Sequence, residues 1–311
     1  AAFQEGLKAQ GFKAGDRMIL MAPLSLDLYA LLLALFASGL SAVLIDAGMP
    51  RAKIVQAIRD AKAQAILSVG ALLRFRWLIP ALWGLRCFSV DSKGWGVRPS
   101  RLLFRETGAK PTVRKTLADD HALITFTSGS TGRPKGADRT HGLLTAQHLA
   151  LAEHFPNRGG EIDMPCFPVV TLHNLCCGIP TILPAVDFKA PGSVHAPFLL
   201  EQIQRWGINQ MSGAPAYIER LVEHLEAEEQ RNHSIKRMAV GGAPVPMHLC
   251  RRILERFPEC EAQVVYGSTE AEPIASASMV EVLSERERAA ELGLLVGSVA
   301  HVADVALVHL P

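Results

Sequence analysis

Short apolar or β-branched runs alternate with long helical stretches along most of this chain, and that rhythm leaves few folds open. The pattern predicts a strand over Arg17–Ala22, a helix over Leu26–Ser38, a strand over Ala42–Ile45, a helix over Arg51–Ala61 and a strand over Ala65–Val69. The same pairing recurs as His121–Phe126 then Thr140–His154, Gly207–Met211 then Ala216–Glu228, and Lys236–Val240 then Pro246–Phe257. Strands alternating with helices of this length build βαβ units and a largely parallel sheet, so the expected class is α/β. With 311 residues there is enough chain for two subdomains or one large unit with an ample core. Ser92 to Thr116, rich in Gly, Pro and basic residues, breaks the rhythm and is the candidate subdomain junction around 92–116 or a mobile connector.

In such folds ligands sit beyond the carboxyl ends of the strands. Two segments fall there. The first follows the apolar run Ala122–Phe126 and reads Thr127-Ser128-Gly129-Ser130-Thr131-Gly132-Arg133-Pro134-Lys135-Gly136. Glycines let backbone N–H groups converge on a bulky anion, the hydroxyls add donors, and Arg133 and Lys135 add charge. These properties suit a polyphosphate. The kinase-type phosphate loop needs Gly-Lys-[Ser/Thr] after its spacer, whereas here Pro134 stands where the second glycine belongs and Gly136 follows Lys135. The second segment is Tyr266-Gly267-Ser268-Thr269-Glu270, after the strand-like Gln263–Val265. A third, Gly241-Gly242-Ala243-Pro244, follows the strand-like Met238–Val240.

These three pieces, in this order and at this spacing, resemble the AMP-forming acyl and aryl ligase superfamily, whose members include acyl-CoA synthetases, luciferases and peptide-synthetase adenylation domains. The resemblance implies the large N-terminal domain of an adenylate-forming enzyme, with ATP and Mg²⁺ as cofactors and coenzyme A as a further candidate. It implies that Thr127, Ser128, Gly129, Ser130, Thr131, Gly132 and Arg133 with Lys135 receive phosphate. Gly241, Gly242, Ala243, Pro244 and Tyr266 would flank adenine, beside Gly267 and Ser268. Thr269 would bind the α-phosphate and Glu270 would hold Mg²⁺; Lys135, Thr269 and Glu270 are the catalytic candidates. A hard cation that takes only one or two protein carboxylates suits Glu270 on chemical grounds as well.

Softer cues, Val43-Leu-Ile-Asp-Ala-Gly-Met49, Asp163-Met-Pro-Cys-Phe-Pro168 and Tyr266 to Ala275, resemble the branch that closes 3-hydroxy fatty acids to β-lactones in long-chain olefin synthesis. The family's Pro-Leu-Phe-His near the acyl tunnel is Pro168-Val169-Val170-Thr171 here, with His173 two residues later. Thr171–Leu183 and Met211–Tyr217 would line the acyl pocket; such apolar residues are also ordinary core. The resemblance covers the middle of the N-terminal domain, so the ribose-binding aspartate, the hinge and the C-terminal lid with its second lysine are expected outside this chain.

Other features bound the reading. A net charge of +2 gives no reason to expect nucleic acid or an anionic membrane as partner, and the expected partner is a small carboxylic acid. Leu28 to Ser38 is too short to span a bilayer and reads as a buried helix. Cys87, Cys166, Cys176, Cys177, Cys250 and Cys260 show no paired metal spacing and are expected as buried reduced thiols of a cytoplasmic protein. His121, His141, His148 and His154 are expected at the surface or as caps. Leu283–Glu291 is expected as an exposed helix and Val305–Pro311 as a strand. The expected activity is ATP-dependent activation of a fatty or 3-hydroxy fatty acid to an acyl-adenylate, followed by thioester or β-lactone formation. The alternative is a nucleotide- and acyl-binding module without turnover in this shorter form.

Overall fold

The computed structural model describes the chain except for Ala47, Arg286, Leu292 and residues 92–95, 128–133, 187–192, 289–290 and 307–311. Its contacts separate into two compact units, Ala1–Thr145 and Ala146–Pro311.

In the first unit, helices α1 (Ala2–Ala9), α2 (Leu26–Ala37), α3 (Arg51–Asp60) and α4 (Gly70–Arg74) alternate with strands. The strands are β1 (Arg17–Met21), β2 (Ser41–Ile45), β3 (Ala65–Ser68), β4 (Arg86–Ser89), β5 (Arg98–Pro99), β6 (His121–Thr127) and β7 (Lys135–Thr140). They form a sheet in the order β5-β4-β3-β1-β2-β6-β7, parallel except where β7 runs back along β6. Ile19, Val43, Ile66 and Phe126 meet in its core. The apolar segment from Leu28 is α2, started by Ser25, whose hydroxyl accepts from the Leu28 N–H at 3.2 Å. Residues 92–116 lie within this unit, and their described part includes β5 and a 3₁₀ turn at Ser100–Leu103.

Helix α5 (His141–His154) leads into the second unit. There β8 (Asp163–Pro165), α6 (Pro168–Cys177), α7 (Ala196–Trp206), β9 (Gln210–Gly213), α8 (Pro215–Ala227), β10 (Arg237–Gly241) and α9 (Met247–Arg256) precede β11 (Glu261–Ser268). The chain then forms β12 (Ala271–Ser278), α10 (Met279–Ser284) and β13 (Ser298–Val299). The sheet order is β13-β12-β11-β10-β9-β8, with β8 to β11 parallel and β12 and β13 antiparallel. Met211, Tyr217, Leu221, Val240 and Ile253 anchor its core.

The α/β class and the largely parallel sheets are as the sequence predicts. Three local expectations change. The strand expected over Gly207–Met211 runs over Gln210–Gly213, because Gly207 closes α7 at φ +62°. The helix expected from Thr140 is preceded by β7, which the motif's Lys135 opens. The helix expected over Leu283–Glu291 is not one piece: Leu283 and Ser284 close α10, which a capping box of Ser278 and Glu281 starts at Met279, Glu285 is a turn, and Glu287, Arg288 and Glu291 are helical again, with Arg286 and residues 289–290 outside the described residues. Most of Val305–Pro311 lies outside the described residues. Among the described residues no helix is long and apolar enough to cross a membrane.

Candidate active site

Each unit carries part of the predicted machinery. In the first, β6 and β7 are antiparallel neighbours, with Thr127 opposite Lys135 and Phe126 opposite Gly136. Ser128, Gly129, Ser130, Thr131, Gly132 and Arg133 lie outside the described residues. What the ladder fixes is the pair of ends: Thr127 half-buried, Pro134 buried and Lys135 exposed. Gly136 packs flat on Phe126, since a Cβ there would lie 3.1 Å from two ring carbons. Arg139 of β7 is buried and its Nη1 donates to Thr125 Oγ1 of β6 at 3.4 Å. His141 stacks its edge on Phe36 at 6.1 Å between ring centres.

In the second unit, β10 ends in Gly241 and the chain turns through Gly242 at φ +78° into Ala243-Pro244. Beside it, β11 carries Tyr266, Gly267 and Ser268, and Thr269-Glu270 form the tip of the hairpin to β12. This corrects the expectation that Tyr266–Glu270 follow a strand: the strand runs on through Ser268, and the segment ends in a β-turn. The pairing shifts register between Tyr266 and Ser268, a bulge that re-aims the side chains at the end of the strand. Gly242, Ala243, Pro244, Tyr266 and Gly267 together line one cleft of about 310 Å³. Tyr266 is half exposed over it and Glu270 is exposed at the tip.

A second, apolar cleft adjoins the same backbone, with Leu151 of α5, Phe155 just beyond that helix, Phe167, Val169 and Val170 of α6, and Gly241 and Gly267 in its walls. The two stretches expected to line an acyl pocket contribute little to it. Met211 and Tyr217 are fully buried core, as are Thr171 and Asn174, while Ser212 reaches the wall. Gly213 leaves room for the Tyr217 ring, which a Cβ would meet at 2.4 Å. Deeper in, Asp163 is fully buried and accepts from Asn174 Nδ2 at 2.7 Å and Gln210 Nε2 at 3.3 Å. Burial pushes its carboxyl above the usual carboxylate range despite those bonds.

His121 is exposed as expected, but His148 and three of the cysteines depart from expectation. His148 is not a surface group: its Nδ1 lies 3.0 Å from Nδ1 of His173. His173 is buried, and its Nε2 lies 3.6 Å from Sγ of Cys177. Burial first, and the His148 ring second, push His173 down to about 4, so it is neutral near pH 7. His154 bonds Ser276 Oγ at 2.7 Å. Cys87, Cys250 and Cys260 are buried as expected, but Cys176 is exposed and Cys166 and Cys177 are half-buried.

Two α/β units with largely parallel sheets, one carrying the β6–β7 hairpin and the other a glycine-rich loop beside Tyr266, have the fold of adenylate-forming enzymes. Residues 2–310 match the family model described as AMP-binding enzyme, and the chain belongs to that family. It is 33% identical over 309 residues to an olefin β-lactone synthetase of Stenotrophomonas maltophilia, covering 96% of this chain and 54% of that protein. It is 30% identical to the olefin β-lactone synthetase of Xanthomonas campestris pv. campestris, covering 88% of this chain and 50% of that one. The chain thus spans about half the length of these relatives. In fold it is similar to o-succinylbenzoate CoA synthetase from Bacillus subtilis in complex with AMP, with TM-score 0.74 and 18% identity over 96% of this chain and 57% of that one.

Proposed function

We propose that this chain is the nucleotide- and acid-binding part of an enzyme that activates a carboxylic acid with ATP. A carboxylate oxygen attacks the α-phosphorus, an acyl–phosphate bond forms, and the bond from the α-phosphorus to pyrophosphate breaks. The observation that carries this reading is the single cleft shared by Gly242, Ala243, Pro244, Tyr266 and Gly267, with Thr269 and Glu270 at its hairpin end. A flat base fits between a tyrosine ring and a backbone with no side chain, and the tip offers oxygen donors where phosphates would emerge.

Charge grows on the phosphoryl oxygens and on the departing pyrophosphate, so the useful groups are fixed cations and donors. Lys135 is exposed at the first residue of β7 and supplies such a cation, with Arg133 and the hydroxyls of Thr127, Ser128, Ser130 and Thr131 beside it in sequence. Thr269 orients the α-phosphate. An exposed carboxylate beside a hydroxyl is a donor set suited to a hard cation, and Glu270 would hold Mg²⁺ there. When bound, that ion neutralises phosphate charge.

The relatives and the apolar cleft between α5 and α6 favour a fatty or 3-hydroxy fatty acid as substrate, with closure to a β-lactone or transfer to coenzyme A as the following step. The test is carboxylate-dependent ATP–pyrophosphate exchange by the intact protein across fatty, 3-hydroxy fatty and aryl acids. Exchange with one acid class, lost in Lys135→Ala and Glu270→Ala, is the expected result. Nucleotide binding without exchange for any acid would overturn it in favour of a binding module.

A further inference from the structure

The His148, His173 and Cys177 side chains have no part in the reaction above, yet the fold gathers them. His173 and Cys177 stand four residues apart on one face of α6, and His148 approaches from α5. Each offers a ligand atom, and those atoms lie within 4.8 Å of one another. We propose that these three residues form a binding site for a Zn²⁺-class transition-metal ion, tying α6 to α5.

The donor set is the first argument. Two imidazoles and a thiol are borderline-to-soft ligands that suit Zn²⁺ and not Mg²⁺ or Ca²⁺. Spacing is the second. With Zn–N near 2.0–2.1 Å and Zn–S near 2.3 Å, a tetrahedron has N–N edges of about 3.4 Å and N–S edges of about 3.6 Å. The His148–His173 Nδ1 separation is 3.0 Å and the His173 Nε2 to Cys177 Sγ separation is 3.6 Å. One ion takes only one nitrogen of His173. Nε2 already stands at the right edge from Sγ, and the broad outer torsion of a histidine lets the His148 ring turn towards a third vertex, leaving the fourth for water. Access is the third argument: His173 is buried, whereas His148 and Cys177 are each half-buried and leave a path for an ion.

The site has a consequence for the apolar cleft. Leu151 follows His148 on α5 and Phe155 comes directly after that helix, and Val169 and Val170 precede His173 on α6. An ion held across the two helices would fix these walls against one another, while Lys135, Thr269 and Glu270 are untouched.

Cobalt substitution tests this on the full chain, stripped with a chelator and kept reduced. Co²⁺ should give intense tetrahedral d–d bands with a thiolate-to-metal charge-transfer band, both erased by one equivalent of Zn²⁺. Cys177→Ser should abolish the charge-transfer band, whereas Cys176→Ser, next door but exposed, should retain it. His148→Gln, at a half-buried position, should weaken Zn²⁺ binding at least about tenfold with an unchanged far-UV spectrum, since even outer-shell losses cost that much. Absence of a tetrahedral spectrum in the parent chain, or a charge-transfer band that survives Cys177→Ser, would overturn the proposal. Should Cys177→Ser fail to fold, an unchanged Zn²⁺ affinity in His148→Gln would overturn it alone.

Discussion

Gly241 and Val265 stand so close across β10 and β11 that a Cβ on Gly241 would lie 2.5 Å from the Val265 carbonyl oxygen. The two residues are register partners at the point where β10 turns into the glycine-rich loop, and one position further β11 carries Tyr266. The close approach of these two strand ends therefore depends on the lack of a side chain at 241. Gly241→Ala should push the strand ends apart, costing about 1–3 kcal/mol as overpacking does. Urea unfolding should show that loss, and nucleotide affinity should fall with it; an unchanged midpoint would mean that the strands relax freely.

Lys135 is exposed, so its removal leaves the fold intact and, under the proposed function, strips one cation from the bound phosphates. Lys135→Ala in the intact protein should lower exchange on the order of 10²-fold, the scale for losing one such group. Circular dichroism and melting temperature should match the parent.

Glu270 sits at the tip of the β11–β12 hairpin, where replacing the carboxylate by an amide keeps the shape and loses the charge. Glu270→Gln should raise the Mg²⁺ concentration needed for half-maximal exchange by about tenfold or more, in line with the loss of a charged contact. A Mg²⁺ titration identical to the parent's would remove Glu270 from the metal role.

The capping box at α10 is a local stability device. Ser278 Oγ accepts from Glu281 N–H at 3.1 Å and Glu281 returns a carboxylate to the Ser278 N–H at 2.9 Å. Ser278→Ala should cost about 1 kcal/mol. The Ser278 N–H, and then its hydroxyl, hold the Glu281 carboxyl below its ordinary value. The box therefore contributes fully above the unfolded pKa of about 4.3 and is lost as pH falls through the folded value. The stability gap between parent and Ser278→Ala should shrink on acidification.

His173 gives the second pH signature. Its folded value near 4 lies below the ordinary histidine range, because burial and the facing His148 disfavour the imidazolium. A lowered value means that the native state resists the proton. This contribution is whole above the unfolded pKa of about 6.5 and drains away as pH falls through about 4. In chelator-treated protein, an NMR titration should find the His173 ring still neutral at pH 6; a midpoint near 6.5 would contradict this environment.

Much of the fold was legible because period and punctuation are local. The apolar run from Leu28, the βαβ rhythm and the glycine-bearing segment after β10 all announce themselves within a few residues. Hairpins were less legible. Lys135-Gly-Ala-Asp-Arg-Thr140 is too polar to read as a strand, and it becomes β7 only because β6 offers it an edge. In the same way Ser268 belongs to β11 because Ala271 pairs with it. His148 was misread for the same reason: spacing on α6 hints at His173 and Cys177, but nothing in the sequence points from either to His148.

By itself, then, the sequence determined the alternating α/β architecture and the placement of Thr127 and Gly241 at strand ends, and it is the source of the chemistry proposed for Lys135, Tyr266 and Glu270, since those follow from local pattern and residue type. The tertiary structure decided which backbones approach closely enough to shape a cleft and which distant side chains meet. Those outcomes depend on sheet order and helix packing, where a Cβ at Gly241 or a ring at His148 is judged by neighbours remote in the chain.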